Sequence, residues 1–343
     1  MLEQEEASGP VRVYSDKRLL GSRKEYGHFI RELRQLGLVH FTQSPKCEVG
    51  VFFVWKKNRA SMRMILDCRA ANRRFCQPPG VDLLSGEGLG RIEMEGEHGP
   101  GHFGSTDVAD CFHRMRIEPP LSEWFSYPPG TAKEFNMQGQ WLNGRRLLGS
   151  DRLWPCVGAL PMGWAWSLFF VQINNVGLLS QVPSMHGSQL MTDRGKSVVL
   201  RKEGGGWHYV YVDNVGLFCD KKETAEERLA DSVERFEEKG LRMHDTSVCS
   251  GSVEALGVEV DSQLLRTRLS RKRCERLRAA LDFMLSNVQI ISGRELEVIL
   301  GHCTFAGLVR REVLSTWHAA YRYVQRHYWE RAELWPSVTA EVR

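Results

Sequence analysis

Two apolar runs, His208–Val212 and Val215–Cys219, lie so close together that only Asp213 and Asn214 separate them. β-Branched and aromatic residues on both sides favour short strands, and so short a gap favours an antiparallel hairpin. The chain must therefore carry a carboxylate and an amide to the tip of an otherwise apolar ribbon. A carboxylate there is costly unless something pairs with it, and a metal ion is a common partner that also does chemistry. Taken alone, Asp-Asn is better explained as an Asx turn of the kind many surface hairpins have. The choice rests on whether a second carboxylate can meet Asp213.

One stands upstream. Ser105-Thr-Asp107-Val-Ala-Asp110-Cys-Phe112 follows on a core strand, Gly104–Val108, that leads into a short helix. If that strand and the hairpin are neighbours in one sheet, Asp107 and Asp213 can share two divalent ions. Such ions, roughly 3.5–4 Å apart, clamp the attacking and leaving oxygens of a phosphoryl transfer. A triphosphate needs cations too. Val51–Trp55 and Met62–Leu66 read as strands joined by the basic tip Lys56-Lys57-Asn58-Arg59, with Arg63 on the return. Arg63 can grip phosphate bidentately while Lys56 acts as a point charge.

The rest of the chain reads as mixed helix and strand. Phe29, Leu33 and Leu36 predict a helix over 23–37 stopped by Gly37. Residues 77–104, rich in Gly, Pro and Glu, read as a long loop or insertion, and 158–179 as a mostly buried helix opening after Pro161-Met-Gly163. Thr224 and Glu227 form a capping box for a helix that buries Leu229, Val233 and Phe236 and ends at Gly240. From about residue 264 an all-helical module is expected, with Ser270 and Ser292 as N-caps. Leu277, Leu281, Leu285, Leu296, Ile299 and Leu300 form its apolar faces. Arg271, Lys272, Arg273, Arg276, Arg278, Arg294, Arg310 and Arg311 crowd its surface, which is equally a solvated face and a nucleic-acid contact.

Bulk properties narrow the class without choosing within it. The chain has 343 residues and a net charge of only +4, which permits a nucleic-acid partner without requiring one. Nine cysteines without a Cys-x-x-Cys pair suggest reduced intracellular thiols, in cytoplasm or nucleus, rather than a zinc site or disulfide framework. The acidic start, Met1 to Glu6, is unlike a signal or transit peptide, and Cys156–Phe170 is too short and too broken by Pro161 to span a membrane.

Taken together the motifs resemble a known family. Val51 to Asn72, with Lys56, Arg63, Asp67 and Arg69, resembles the fingers motif of retroelement reverse transcriptases. Asp107-Val-Ala-Asp-Cys-Phe112 resembles their first catalytic motif, and Leu160-Pro-Met162-Gly-Trp-Ala-Trp-Ser167-Leu-Phe169 the Leu-Pro-Gln-Gly…Ser-Pro…Phe motif. Tyr211-Val-Asp213-Asn214 resembles the Tyr-x-Asp-Asp box and Leu256-Gly257 the primer grip. Glu32 to Pro45 resembles the lead-in to the fingers. Leu269 to Arg311, with Leu300-Gly301-His302, resembles the thumb and following region of the LTR/DIRS-type elements, in the Ty3/Gypsy and pararetroviral branch. Six motifs in the family's order, over about 25 to 325, are a specific match.

The resemblance implies an α+β right-hand polymerase. Its parts would be an N-terminal tail (1–22), fingers (23–104, with the 77–104 insertion), a palm (105–260, with a return to the fingers at 120–160) and a helical thumb or connection-like region (261–343). It implies an RNA-directed DNA polymerase that extends a primer 3′-OH on an RNA or DNA template with deoxynucleoside triphosphates and two Mg²⁺ or Mn²⁺ ions. Asp107, Asp213 and the Val108 carbonyl would hold metal, and Lys56, Arg63, Asp110, Phe112 and Met162 would bind the nucleotide. Phe112 would be a steric gate against the ribose 2′-OH, which argues against an RNA-templated RNA polymerase. Leu256 and Gly257 would support the primer end, and the basic C-terminal helices would hold duplex phosphates.

Three positions depart from the pattern. Asn214 replaces the second box aspartate, leaving two strong acids; its amide oxygen can ligate a metal but adds no charge. Met162 replaces a glutamine. Gly240 to Ser247 lacks the usual lysine, for which His244 is a nearby substitute, although an ordinary surface histidine fits the sequence better. Asp110 and Asp245 are the other acids able to supply a missing carboxylate. The alternative function is a decayed or co-opted relative that binds nucleic acid without polymerising. Protease, RNase H and integrase signatures are not seen, so a polymerase core or a fragment of a larger element is expected.

Overall fold

The structure is a computed structural model that describes residues 11–57, 59–94, 100–200 and 206–343. The acidic start Met1 to Glu6, Asn58 of the basic tip and residues 95–99 of the expected insertion lie outside these. The chain forms two compact units. One comprises Met1–Val81 and Val108–Asn175, the other Asp82–Asp107 and Val176–Arg343. No helix among the described residues is long and apolar enough to cross a membrane, and all nine cysteines are free thiols.

In the first unit the helix Arg23–Gln35 starts where Ser22 Oγ accepts from the Glu25 amide. It buries Tyr26, Ile30 and Leu33, one stripe at helical spacing, and the chain turns away at Gly37, whose φ is 66°. The next strand, Val39–Thr42, pairs antiparallel with Arg152–Val157, which also holds Gly130–Thr131. The expected ribbon is present as Gly50–Trp55 and Met62–Asp67, with Trp55 opposite Met62. Its base is buried at Val51 and Leu66 while its tip is exposed. Asp67 anchors the base by accepting from the Tyr14 amide (2.8 Å) and from Arg69 Nε (2.8 Å) and Nη2 (2.7 Å). The Arg69 hydrogen bonds are the main reason its carboxyl pKa falls to about 2.

The second unit is built on a five-stranded sheet. Its order is Ser188–Leu190, Gly206–Tyr211, Asn214–Cys219, His102–Val108, Met243–Ser250. Asn214–Cys219 lies near the middle, so every residue from Val215 to Cys219 is buried, whichever face it takes. The helix Lys222–Glu238 buries Ala225, Leu229, Ser232 and Phe236 along one stripe. It begins before the expected Thr224 cap, at Lys222, because Ala225 already belongs to the packed stripe and a full turn must precede it.

The 77–104 stretch is more structured than expected. It contains a helical turn, Gly86–Gly90, and a strand, Ile92–Met94, that pairs parallel with Val198–Leu200. Leu84 and Leu89 are fully buried in a core with Phe103, Tyr209, Phe218 and Val258. Its glycines permit contact: a Cβ at Gly90 would stand 2.6 Å from the Val309 carbonyl oxygen.

The C-terminal region is not wholly helical either. Three short strands, Ser252–Ala255, Val258–Asp261 and Arg266–Leu269, form a sheet before the helix Arg271–Asn287. A further pair, Ile290–Ser292 with Arg331–Glu333, is tied down by the buried Tyr323, whose hydroxyl reaches the Ile291 (2.6 Å) and Ala332 (2.8 Å) carbonyls. Ser292 and Glu295 make the expected capping box for Gly293–Gly307. Ser270 precedes its helix as expected but makes no cap hydrogen bond.

Two stability outcomes follow. At Gly216 a Cβ would fall 2.1 Å from the Tyr209 ring, so Gly216→Ala must displace a buried aromatic. A loss of about 1–3 kcal/mol in urea unfolding is expected. Asp67 has a depressed folded-state pKa, so its contribution is present above the ordinary carboxylate range and fades as pH falls through about 2. Its partner Arg69 is largely exposed and screened. Asp67→Asn should therefore cost only about 1 kcal/mol at pH 7, a gap that urea titrations should find closing between pH 4 and 2.

Candidate active site

The strands His102–Val108 and Asn214–Cys219 are antiparallel, with Phe103 opposite Phe218, Ser105 opposite Gly216 and Asp107 opposite Asn214. Alternation places these six side-chain positions on one face of the sheet. That face begins as aromatic core: Phe103 meets Phe218 edge-on at 5.1 Å, and Tyr209 covers Gly216. One step further it becomes polar, at Asp107 and Asn214.

The hairpin turn is shifted by one residue from the expected Asp213-Asn214. Tyr211 pairs with Asn214, so Val212 and Asp213 make the turn and Asn214 opens the returning strand. Val212 is buried and has φ 58°. A β-branched residue rarely adopts that conformation, which costs on the order of 1–3 kcal/mol. Backbone strain thus lies directly beside Asp213.

Asp107 and Asp213 come close enough to repel. Burial raises the Asp107 pKa, the charge of Asp213 raises it further, and His244 works against both. Each acid already has a protein partner. Asn214 Nδ2 donates to Asp213 Oδ1 at 3.1 Å. His244 Nε2 lies 3.0 Å from Asp107 Oδ1, and His244 Nδ1 lies 3.0 Å from Asp245 Oδ2. His244 and Asp245 sit on Met243–Ser250, the strand beside that of Asp107. Hydroxyl contacts fasten the two strands: Thr106 to Thr246 (2.9 Å) and Ser105 to Ser247 (3.2 Å).

The donor set fits a hard divalent cation: two carboxylates whose repulsion a cation would relieve, with an amide oxygen alongside. Among the described residues no three His, Cys, Asp or Glu side chains form a ready-made metal cage. An ion held by Asp107 and Asp213 would need further donors to complete its shell, as Mg²⁺ commonly takes from water and phosphate.

The remaining expected site residues divide between the units. In the first, Arg63 stands opposite Val54, and Lys56, two residues beyond Val54, shares its face. Both are exposed, and neither has an ion-pair partner among the described residues. Met162 lines an apolar pocket with Met64, His113, Leu38 and Leu160. The chain neighbours of Arg63 and Phe112 therefore meet around Met162. Burial lowers the His113 pKa, which favours its neutral form. Asn72 braces the next segment, donating to the Gly163 carbonyl (2.9 Å) and accepting from the Ala165 amide (2.9 Å). Phe112 is half-buried, Val108 is buried, and Asp110 is exposed with φ 51° ahead of the short helix Cys111–Arg114.

In the second unit Leu256 and Gly257 form a two-residue turn with φ 52° and 79°. The Arg273 guanidinium packs against Gly257 and lies 4.7 Å over the Phe305 ring. Of the eight basic residues noted on the C-terminal helices, Arg271, Arg278 and Arg311 pair with Glu275, Asp282 and Glu87. Lys272, Arg276 and Arg310 are exposed without an acidic partner among the described residues.

Sequence reasoning missed Val212 as a turn residue, the direct His244–Asp107 contact and the Arg273–Gly257 packing. Asp-Asn outranks Val-Asp as a turn signal, and the other two join residues far apart in the chain.

Asn214→Asp tests how tightly the acids are coupled. It removes the hydrogen bond to Asp213 and adds a third negative charge beside Asp107 and Asp213. In EDTA the variant should be about 1–2 kcal/mol less stable than wild type, and millimolar Mn²⁺ should recover part of that loss in thermal unfolding. Equal stability in EDTA would mean that position 214 does not feel the acids.

No protein-family model matches the chain, and no curated protein sequence does. Many solved structures are similar, among them two of a foamy viral enzyme. One is the foamy viral protease-reverse transcriptase dRH in complex with double-stranded DNA, at 15% identity and a TM-score of 0.62. The other is the foamy viral protease-reverse transcriptase in complex with double-stranded DNA, at 15% identity and a TM-score of 0.61. The matches cover 97% and 98% of this chain but 48% and 59% of those chains, so it spans about half the length of the proteins it matches. At that identity the likeness concerns the fold alone, and the fold is reverse-transcriptase-like.

Proposed function

We propose that the chain is a reverse-transcriptase-like polymerase that adds deoxynucleotides to a primer 3′-OH on an RNA or DNA template. The observation that carries this is the pairing of Asp107 with Asn214 across neighbouring strands, with Asp213 next in the turn. Two acids so placed suit a reaction in which negative charge builds on phosphoryl oxygens. The motif order supports a right hand of fingers, palm and thumb, and Leu300-Gly301-His302 the Ty3/Gypsy, DIRS and pararetroviral branch. The similar foamy viral proteins are in complexes with double-stranded DNA, and we carry a duplex partner to this chain on that basis.

In the reaction the primer 3′-OH gives up its proton to solvent, its oxygen bonds to the α-phosphorus, the bond from that phosphorus to the bridging oxygen breaks, and pyrophosphate leaves. Mg²⁺ or Mn²⁺ held by Asp107, Asp213 and the Val108 carbonyl would stabilise charge on the attacking and leaving oxygens. Lys56 and Arg63, on one ribbon face and without an acidic partner among the described residues, would grip the triphosphate. Phe112 would exclude a 2′-OH, Met162 and Asp110 would flank the nucleotide, and Leu256-Gly257 would support the primer end. Lys272, Arg276 and Arg310 would neutralise duplex phosphates without reading sequence.

A second reading has its own observation. Asn214 and His244 already occupy the two acids, as in a co-opted protein that binds nucleic acid without extending it. Primer extension on an RNA template with deoxynucleotides and Mg²⁺ or Mn²⁺ separates the two. Wild type should extend, and Asp213→Ala should lose at least about a thousandfold in rate. Extension only in Asn214→Asp would support decay at that position. Silence in all three with duplex binding intact would sink the polymerase.

A further inference from the structure

The geometry points to His244 as a nitrogen ligand, beside Asp107, of the divalent ion that this site would hold. The inference rests on the two-carboxylate reading above and deepens it. A donor set of carboxylate and imidazole favours Mn²⁺ and other imidazole-tolerant transition ions, whereas Mg²⁺ keeps to oxygen.

Three features carry it. The first is the partner of the far ring nitrogen, since Nδ1 lies 3.0 Å from Asp245 Oδ2. A metal-binding histidine usually donates its other N–H to a carboxylate, which fixes the tautomer and makes the free nitrogen more basic. The second is the near nitrogen. With Nδ1–H given to Asp245, Nε2 stands 3.0 Å from Asp107 Oδ1, about the spacing of two neighbouring donors on one ion with bonds of about 2.1 Å.

The third is positioning. Thr106, the residue before Asp107, donates through Oγ1 to the His244 carbonyl at 3.3 Å and contacts Thr246 Oγ1 at 2.9 Å. The sheet itself therefore holds the imidazole beside the acid. Asp245 has φ 52° and an 85% exposed side chain, so the chain steps out of regular strand beside the histidine.

The same contacts also suit an imidazolium that donates to both carboxylates and acts as a fixed counter-charge. The two arrangements give opposite signs on removal of the ring. Loss of a ligand weakens metal binding, whereas loss of a competing positive charge strengthens it.

The test uses the full chain stripped of metal, without primer or nucleotide. Mn²⁺ binding is followed by electron paramagnetic resonance in wild type, His244→Ala, His244→Gln, Asp107→Asn and Asp213→Asn. Pulsed spectra of wild type should show nitrogen coupling that changes isotope when the histidines are labelled with ¹⁵N. His244→Ala should lose the coupling and bind Mn²⁺ about tenfold more weakly or worse, with a smaller change for Mg²⁺. Bound Mn²⁺ without nitrogen coupling, or equal or tighter binding in both His244 variants, overturns the inference. If Asp107→Asn and Asp213→Asn still abolish binding in that event, the two-carboxylate site stands without the histidine. If they bind like wild type, both readings fail together.

Discussion

Like charges held beside one another at the end of a buried sheet are the constraint on which the rest of this site depends. Asp107 and Asp213 are brought together by strand pairing whose cohesion comes from elsewhere: the buried Val215–Cys219 run and the Phe103, Tyr209 and Phe218 cluster. Burial alone raises the Asp107 pKa, and Asp213 adds to it. An arrangement that works against its own charge persists only when the surrounding fold over-determines it. The strained Val212 and the ring-covered Gly216 are local signs of that over-determination.

Polar neighbours then decide what the acids can do. Asn214 gives Asp213 a hydrogen bond in place of a third negative charge, and His244 approaches Asp107 from the next strand. Both soften the repulsion between the acids. In the other unit Lys56 and Arg63 share a face of the ribbon, and neither pairs with an acid among the described residues.

Much of this was readable in order along the chain. The ribbon, the helix over 23–35, the Ser292–Glu295 box and the catalytic-type strand each depend on short-range rules: alternation, helical spacing and capping chemistry. Reading failed where composition has two physical meanings. The glycines of 77–104 suggested a loop, yet they let Leu84 and Leu89 reach a core and let backbone approach Val309. The basic helices suggested surfaces crowded with positive charge, but three of the eight cations are paired with acids.

Sequence alone fixed the residue types at the candidate site and their order, because the acids, the cations and the glycine turns belong to motifs of a few residues each. It could also show that position 214 is an amide. Tertiary structure decided the register that puts Asn214 rather than Asp213 opposite Asp107, the one-residue shift of the turn onto Val212, and the contact of His244 with Asp107. Those outcomes depend on which strand lies next to which, and side-chain packing and hydrogen bonding across the sheet select that neighbour. A slip of one residue would turn Asp107 to the opposite face, so only the packed sheet can say where the charge points.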